Sequence, residues 1–540
     1  MKRRISLILA AVMVFAAMIP CMSFVCVAAK ANTVEVTTAD GKTTAYETLD
    51  DVAAAGVVAD GTTIKLLDDN MCLLPLTLAG NDIVLDGNGF LIQYIGPGYG
   101  ITVAGGVAYA ADDADKTKNL YISGGQSDAA ELEVGKITIK NLLILSAAGG
   151  IDVCNAVELT LENTSISVPG AFAINMNKFG STVNLNGGAI IGQANGSAVM
   201  RIINNSILNV YDTYVKIDLP APNQGRCVHV EKGATVNMYG GVMVSDTYVD
   251  CISPRGETDV INMYGGTLLN TYYQPTANPD SPFYKPGTQE TNLPECIRTK
   301  KTEHINYTSY VFGVIRKGVA VTDSGDFAVK ETIKSYDGTK DVYLNYKHTP
   351  AHTALGNIEG QHDARIKFSK NGAGIRFTST VAADLIEYAE SIMDLGSEIR
   401  YGTIIAPADY VDDWTLNPYL LAAKNRAFKD IPAVDGLEQN LDGSVTFNAA
   451  LVGIKAANAA RDFAAVSYIE YEVNGMTVRN YSLYDGVAQK ANLADLAAEY
   501  LADVKDSQSG DYLYKTADGK YSPYTADQQK LLAIYAEFAD

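Results

Sequence analysis

The hydrophobic positions of this chain follow a short pattern that recurs along its first 340 residues. An aliphatic, a polar and a second aliphatic residue are followed by a polar residue or tyrosine, and then by a turn. Such alternation with a period of two is typical of β-strands. The copies begin at Ile64, Ile83, Ile137, Leu159, Val183, Leu208, Val236, Ile261 and Ile305. Most copies lie about 19 to 28 residues apart, which fits one coil of a solenoid.

Two further strand patterns flank each copy. One precedes it, as in Gly150–Val153 and Asp250–Ser253, and another follows the turn, as in Ala189–Ile191. Glycine, asparagine or aspartate at the turn tolerates positive φ. Three short strands per coil and about nine coils predict a parallel β-helix over residues 61–340. Two long intervals contain insertions, at 107–135 and 271–294.

Equivalent residues of successive coils, about 4.8 Å apart, are expected to stack in columns. The alternation places the aliphatic positions in the core and the residues between them on the outer surface. The expected outer columns are Asn184, Asn209, Asn237, Asn262 and Asn306, and beside them Tyr211, Tyr239 and Tyr264. Cys227, Cys251 and Cys296 share a column of the preceding strand, either as stacked buried thiols or with a disulfide between adjacent coils.

The regions on either side of the solenoid have different patterns. Residues 46–55 read as a short helix within an N-terminal unit, 32–60, and this helix would cover the open apolar end of the solenoid. After a linker, 341–364, longer strands alternate with three helical stretches at 381–395, 492–506 and 526–539. Asn474-Gly475 between two strand-like runs predicts a hairpin. Residues 365–540 are therefore expected to form an α+β domain.

The N-terminus has the pattern of a secretory signal peptide, assigned to residues 1–29. Three basic residues, Lys2 to Arg4, precede an apolar run, and small residues follow at Val27–Ala31, as at a cleavage site. A transmembrane anchor is the alternative interpretation. Cleavage predicts an extracellular protein, secreted or associated with the cell surface, with no further membrane span.

Composition narrows the possible partners. Lys and Arg total 42 against 62 Asp and Glu, a formal net charge of −20, which argues against a nucleic-acid partner. Of 7 cysteines, Cys21 and Cys26 lie in the signal segment. The remaining five are too few and too scattered for a disulfide scaffold.

The helix at 46–55, the first coil and the Asn-Met-Tyr-Gly-Gly units resemble secreted bacterial right-handed parallel β-helix proteins of the pectate-lyase-like superfamily. The resemblance covers roughly residues 40–320. It implies a mainly β fold, a solenoid followed by a smaller domain, in a superfamily that contains lyases, hydrolases, adhesins and non-catalytic stalks. The C-terminal part resembles a module of surface proteins from gut Clostridia, through Gly374–Phe377, Tyr401–Pro407, Phe447–Ile454 and Tyr468–Tyr471.

The resemblance also suggests where chemistry could lie. Lyases and polygalacturonases of this superfamily use carboxylates and basic residues along one strand face, and the candidates here are Asp246, Asp250 and Arg255. Residues 249–252 resemble the Asp-Asp-Cys-Ile segment of polygalacturonases, with Val249 in place of the first aspartate. The alternative is structural, because Asp250 shares a repeat column with Arg226. We expect no metal site and no cofactor. If the protein is a lyase, calcium is the candidate cofactor.

The tyrosine column Tyr211, Tyr239 and Tyr264 is the candidate ligand-binding feature. A row of aromatic faces suits sugar rings, and it also stabilises the column by simple stacking. The leading expectation is a non-catalytic extracellular protein that binds glycans or cell-surface partners through a long lateral face. The alternative is a carbohydrate-active enzyme, a polysaccharide lyase or glycoside hydrolase, acting on an acidic or plant polysaccharide.

Overall fold

The computed structural model describes residues 32–105, 134–154, 156–178, 180–193, 197–219, 225–245, 247, 251–256, 258–270, 305–307, 311–316, 328–334, 341–346, 358–360, 364–369, 372–411, 416–433, 436–482, 490–503, 513–515 and 521–539. The predicted signal peptide 1–29, the insertion 271–294, Cys296 and almost all of the insertion 107–135 lie outside these residues. So does most of the predicted linker 341–364.

A small cap precedes the solenoid. Strand β1 (Val34–Thr37) pairs antiparallel with both β2 (Thr43–Tyr46) and the first solenoid strand. Helix α1 (Leu49–Ala55) starts at a capping box, in which the Thr48 hydroxyl accepts from the Asp51 N–H and the Asp51 carboxylate accepts from the Thr48 N–H. Leu49 and Val52 are buried in the solenoid core. The predicted helix therefore covers the apolar end of the first turn.

The chain then winds through a parallel β-helix. Seven turns carry strands on all three of its faces. Their strands are β3 (Thr63–Leu66), β4 (Asn70–Cys72), β5 (Leu76–Ala79), β6 (Ile83–Asp86), β7 (Leu91–Tyr94), β8 (Tyr99–Ala104), β9 (Gly135–Lys140), β10 (Leu143–Ser146), β11 (Gly149–Val153), β12 (Val157–Glu162), β13 (Ser165–Val168), β14 (Ile174–Met176), β15 (Thr182–Gly192), β16 (Ser197–Ile203), β17 (Ile207–Ile217), β18 (Gly225–Glu231), β19 (Thr235–Met238), β20 (Val242–Ser245) and β21 (Ile252–Pro254).

Further strands extend two of the faces. These are β22 (Val260–Met263), β23 (Thr267–Asn270), β24 (Ile305–Tyr307) and β25 (Val311–Arg316). Strand β27 (Asp341–Tyr346) pairs antiparallel with β25 and with β26 (Ala328–Lys334), so parallel winding gives way to a hairpin. The nine coils predicted from the repeat thus correspond to seven complete turns and two that are partly described.

The three faces are defined by strand pairing. The first face contains the repeat strands, from β3 to β24, and the second contains the strands after the turn, from β4 to β25. Strands β15 and β17 bend at the corner and belong to both. The third face is a separate parallel sheet of seven strands, in the order β5, β8, β11, β14, β16, β18, β21. Inward aliphatic side chains such as Val183, Leu208 and Ile261 are fully buried between the faces.

The predicted outer columns are present on the first face. Asn184, Asn209, Asn237 and Asn262 lie in register on adjacent strands. Each amide donates to the Oδ1 atom of the preceding residue, at 2.8 Å, 2.8 Å and 2.7 Å along the column. The tyrosine rings are stacked with centroids 5.0 Å and 4.9 Å apart. The register derived from the repeat is therefore confirmed.

The described cysteines are buried free thiols. Cys227 on β18 neighbours Cys251, which directly precedes β21. Each thiol donates to a backbone carbonyl at 3.1 Å, of Val244 and Leu269 respectively. The described part of this column therefore contains stacked thiols, as one of the two interpretations expected.

The C-terminal part contains two antiparallel sheets with helices packed against them. The elements are β28 (Ile358–Gly360), β29 (Arg365–Ser369), β30 (Gly372–Val381), α2 (Ala383–Ile392), β31 (Arg400–Pro407), α3 (Pro418–Ala423), β32 (Lys429–Pro432), β33 (Glu438–Gln439), β34 (Val445–Val452), β35 (Phe463–Val473), β36 (Met476–Tyr481), β37 (Lys490–Ala491), α4 (Leu493–Asp503), β38 (Leu513–Lys515), β39 (Tyr521–Pro523) and α5 (Ala526–Ala536). One sheet has the order β28, β30, β34, β33 with β29 beside β30, and the other β32, β31, β35, β36 with β37 beside β35. Strands β38 and β39 pair separately.

Local signals in this domain were predicted correctly. Strands β35 and β36 form the hairpin at Asn474-Gly475, whose φ angles of 54° and 72° lie in the left-handed region. Helix α5 starts at a capping box between Thr525 and Gln528. The chain is thus mainly β, a solenoid followed by a smaller β-rich part with few helices.

Candidate functional site

A column of polar side chains runs along the outer surface of the third face. Strand pairing brings its members into register, one from each of seven successive turns. We call this the third-face column: Thr77, Thr102, Asp152, Asn175, Arg201, His229 and Ser253. The residues on either side of each member point inward, because side chains alternate along a strand.

The centre of the third-face column contains an amide that is only half satisfied. Asn175 Nδ2 donates to Asp152 Oδ1 at 2.7 Å. Asn175 is 4% exposed, and its Oδ1 atom has no hydrogen-bond partner within the described part of the chain. Burial raises the pKa of Asp152, although Asn175 and Lys178 oppose this shift. A buried acceptor without a donor is costly, so Asn175 Oδ1 is the atom of the third-face column that still requires an O–H or N–H donor.

Arg201 follows Asn175 in the third-face column. Its guanidinium lies 5.8 Å from the ring centroid of Phe172 and has no ion pair or side-chain hydrogen bond among the described residues. Tyr99 lies against Gly149 on the same face. Burial, followed by the charge of Asp152, raises the pKa of Tyr99 to about 12, so its hydroxyl stays protonated. A guanidinium without an ion pair among the described residues, beside an aromatic ring, forms a surface suited to polar rings with hydroxyl or carboxylate groups.

The next turn carries a histidine held in its neutral form. Arg226 Nη1 lies 3.1 Å from His229 Nδ1, and His229 Nε2 lies 2.9 Å from Glu231. A guanidinium can only donate, so Nδ1 accepts and the proton resides on Nε2, which donates to Glu231. Burial lowers the pKa of His229, and Arg226 and Arg255 lower it further, against the opposing effect of Glu231.

The spacing along the third face bears on acid–base chemistry. Asp152 and His229 are three turns apart, about 14 Å at the usual strand separation. Glycosidase carboxylate pairs are about 5 to 9.5 Å apart. The titratable groups of the third-face column are therefore too widely spaced to act together on one glycosidic bond, whereas several sugar units could span them.

The predicted acidic cluster is only partly described. Asp246 and Asp250 lie outside the described residues, and Arg255 is exposed. Arg255 continues β21 beyond Pro254, so it comes next to Glu231 in register. Its backbone N–H donates at 3.0 Å to the carboxylate of Asp259, which is fully buried and also accepts from Gly233 and Gly256. Asp259 therefore serves to hold a turn.

The tyrosine column lies where the C-terminal part meets the solenoid. Tyr211 is 2% exposed and belongs to a core cluster with Val478 and Tyr471, and Tyr239 packs against the same cluster. Asn474 Nδ2 donates to the Tyr211 hydroxyl at 3.4 Å. In this structure the chain's own C-terminal part covers most of the column.

Asp152, Asn175 and Arg201 were not singled out from the sequence. Each occupies the same place in the strand that precedes a repeat unit, between two inward aliphatic residues. Aligning the coils on this strand, rather than on the repeat strand, would have revealed the polar column.

Comparison of the chain with protein-family models, curated proteins and solved structures finds no match. The described residues contain no group of three or more His, Cys, Asp or Glu side chains able to hold a metal ion. In the same residues, no helix has both the length and the apolar character needed to cross a membrane.

Proposed function

We propose that this protein is a non-catalytic, extracellular β-helix protein that binds glycans or cell-surface partners through its third face. One observation carries the proposal: Asn175 Oδ1 and the Arg201 guanidinium, which have no partner among the described residues, lie side by side next to the ring of Phe172. These groups supply an acceptor, a charged donor and an apolar plane, the three elements that recognise a sugar ring. The net charge of −20 supports a partner other than nucleic acid.

A repeating ligand suits a repeating surface. The third-face column presents one polar side chain per turn at about 4.8 Å spacing, so an extended chain could lie along several of them. The regularity of the solenoid and its lateral face support a role in adhesion or display more than one in turnover.

A glycan array with the full mature chain tests this proposal. Arg201→Ala and Asn175→Ala are each expected to weaken binding about tenfold or more, the effect of losing a hydrogen bond to a charged or buried group. Arg461→Ala is the control, since Arg461 pairs with Asp409 in the C-terminal part. Unchanged binding in both third-face variants would rule out the third face as the binding surface.

The alternative function is a polysaccharide lyase or glycoside hydrolase acting near Asp246, Asp250 and Arg255. Arg255 lies at the end of the third face, close enough to His229 to affect its pKa. Incubation with acidic and plant polysaccharides, with and without calcium, separates the two functions. New unsaturated or reducing ends that disappear in Asp250→Ala would overturn the non-catalytic proposal.

A further inference from the structure

A buried carboxylate joins the solenoid to the C-terminal part. Asp212 lies at the corner between the first and second faces, where the repeat units of the next two turns have Gly240 and Gly265. It is 1% exposed. Both of its carboxylate oxygens point at the C-terminal part. The glycines at the equivalent place in the next two turns have no side chain that could make such a contact.

Three side chains of the C-terminal part face Asp212. The hydroxyl of Tyr419, on α3, donates to Oδ2 at 2.7 Å, and the hydroxyl of Tyr481, on β36, donates to Oδ1 at 2.9 Å. Arg479 Nε lies 3.9 Å from Oδ2. Glycine amides of the next two turns complete the contact, since Gly241 N donates to Arg479 O at 3.0 Å and Gly266 N donates to Asn480 Oδ1 at 2.7 Å.

Negative charge exceeds positive charge around this contact. Arg479 also pairs with Glu470 on β35 and with Asp430 on β32, and Arg400 on β31 reaches the outer oxygen of Glu470. Two guanidinium groups, of Arg479 and Arg400, thus pair with three carboxylates. From the solenoid side, the partner of Asp212 in register is the neutral Asn186. Asp430 is exposed to water, whereas Asp212 is enclosed. Arg479 also lies closer to Glu470 and Asp430 than to Asp212, so an ionised Asp212 is poorly compensated, which is unfavourable for a buried charge.

We propose that Asp212 forms a proton-linked latch, which holds the C-terminal part against the solenoid more firmly when this carboxyl group carries a proton. Asp212 is the most deeply buried of the three carboxylates and is therefore the one that takes up the proton. Release of the latch would uncover Asp212 and the tyrosine column together, because both lie under β36 and the hairpin that leads into it.

The direction of the pH effect follows from linkage. Burial raises the pKa of Asp212 to about 7, against the opposing effects of Arg479, Tyr419 and Tyr481. Once released into water, the carboxyl would titrate near its ordinary value of about 4. The docked form therefore binds more protons between about pH 4 and 7, so docking is strongest in acid and weakens as the pH rises toward 7.

Hydrogen exchange on the full mature chain tests the latch. The amides of Gly241 and Gly266 are protected by atoms of the C-terminal part, so their protection factors, corrected for intrinsic exchange, report docking. We expect protection about tenfold or more higher at pH 5 than at pH 8. The amide of Val228, which donates to Cys251 O within the third face, is the internal reference.

Variants distinguish the latch from a general effect of pH. Asp212→Asn is expected to abolish the pH dependence at Gly241 and Gly266. Asp218→Asn is expected to keep it, because Asp218 pairs with Lys216 away from the contact. Tyr419→Phe removes a donor to the ionised form and should move the transition to higher pH. The latch would be disproved if the protection of Gly241 and Gly266 did not depend on pH in the wild type, or if Asp212→Asn kept the full pH effect.

Discussion

Hydrogen bonds between identical side chains determine how the first face is held in register. Within the column, Asn237 donates to Asn209 and accepts from Asn262, so both ends of its amide are satisfied by the neighbouring turns. The side chain is half-buried, so water can satisfy only some of these hydrogen-bonding groups if a neighbouring amide is lost. Such a column favours one register over a slip of one residue, which would turn the amides into the core.

Removing one amide should therefore destabilise the solenoid. We expect Asn237→Ala to lower the free energy of unfolding by about 1 to 3 kcal/mol, because one donor and one acceptor of the neighbouring turns lose their partner. Guanidinium unfolding followed by circular dichroism measures the loss. Thr138→Ala is the matched control, since Thr138 lies in the same column but makes no side-chain hydrogen bond within the described residues. Equal losses in both variants would show that the amide bonds contribute nothing.

These residues also show what a repeat can and cannot reveal. The Asn and Tyr columns were predictable because the strand period and the coil length together determine which residues stack. Asp152, Asn175 and Arg201 stack by the same geometry, but they differ from turn to turn and form no visible motif. Asp212 differs from the glycine of other turns for a reason that lies nearly 270 residues away, at Tyr481, so the repeat alone could not explain it.

At the scale of elements, the glycine pairs of the repeat have two separate functions. Gly241 and Gly266 have φ of 78° and 81°, which the turn requires. Gly240 and Gly265 are needed for close approach. An added Cβ would lie 2.3 Å from a carbonyl oxygen of the preceding turn, that of Tyr211 or Tyr239, and also 2.5 Å from Arg479 O or 2.6 Å from Asn480 Oδ1 on β36. The turn function was predictable from the sequence, whereas the approach of β36 depends on tertiary packing between distant segments.

The hairpin that carries β36 depends on its own left-handed turn. The N–H groups of Asn474 and Gly475 both donate to the carboxylate of Asp394, which fixes the tip above Tyr211. Gly475 has φ of 72° and open space around the position of a Cβ. Any cost of substituting it therefore comes from backbone strain rather than from a clash.

We expect Gly475→Ala to lower the free energy of unfolding by about 1 to 2 kcal/mol, the usual cost of a left-handed residue with a Cβ. Gly170→Ala is the control, because an added methyl group also has open space there and φ lies outside the left-handed region. That substitution should be neutral or slightly stabilising, through the unfolded state. Thermal unfolding of both variants measures the difference, and a loss at Gly170 as large as that at Gly475 would contradict strain as its cause.

At the scale of the whole molecule, the solenoid and the C-terminal part share apolar and polar contacts. Tyr419, Tyr481 and Leu420 pack with Tyr214 and Val244 of the second face. Arg479 lies 4.4 Å from the centroid of the Tyr468 ring while pairing with Glu470 and Asp430. The Arg479 guanidinium lies at the contact with Asp212 and also joins β36 to β35 and β32 through Glu470 and Asp430. Its removal therefore affects both the contact with the solenoid and the sheet formed by these strands.

Arg479→Ala should therefore uncouple the two parts during unfolding. Loss of the guanidinium leaves the buried Asp212 without a cation and Glu470 with Arg400 alone, and breaking a buried pair in this way costs about 3 to 5 kcal/mol. In calorimetry, we expect the C-terminal part to unfold at a lower temperature in a separate transition. Arg461→Ala is the matched control, because Arg461 forms a bidentate but exposed pair with Asp409, for which the expected loss is below about 1 kcal/mol. A single transition at the wild-type temperature in Arg479→Ala would mean that the apolar contact alone joins the two parts.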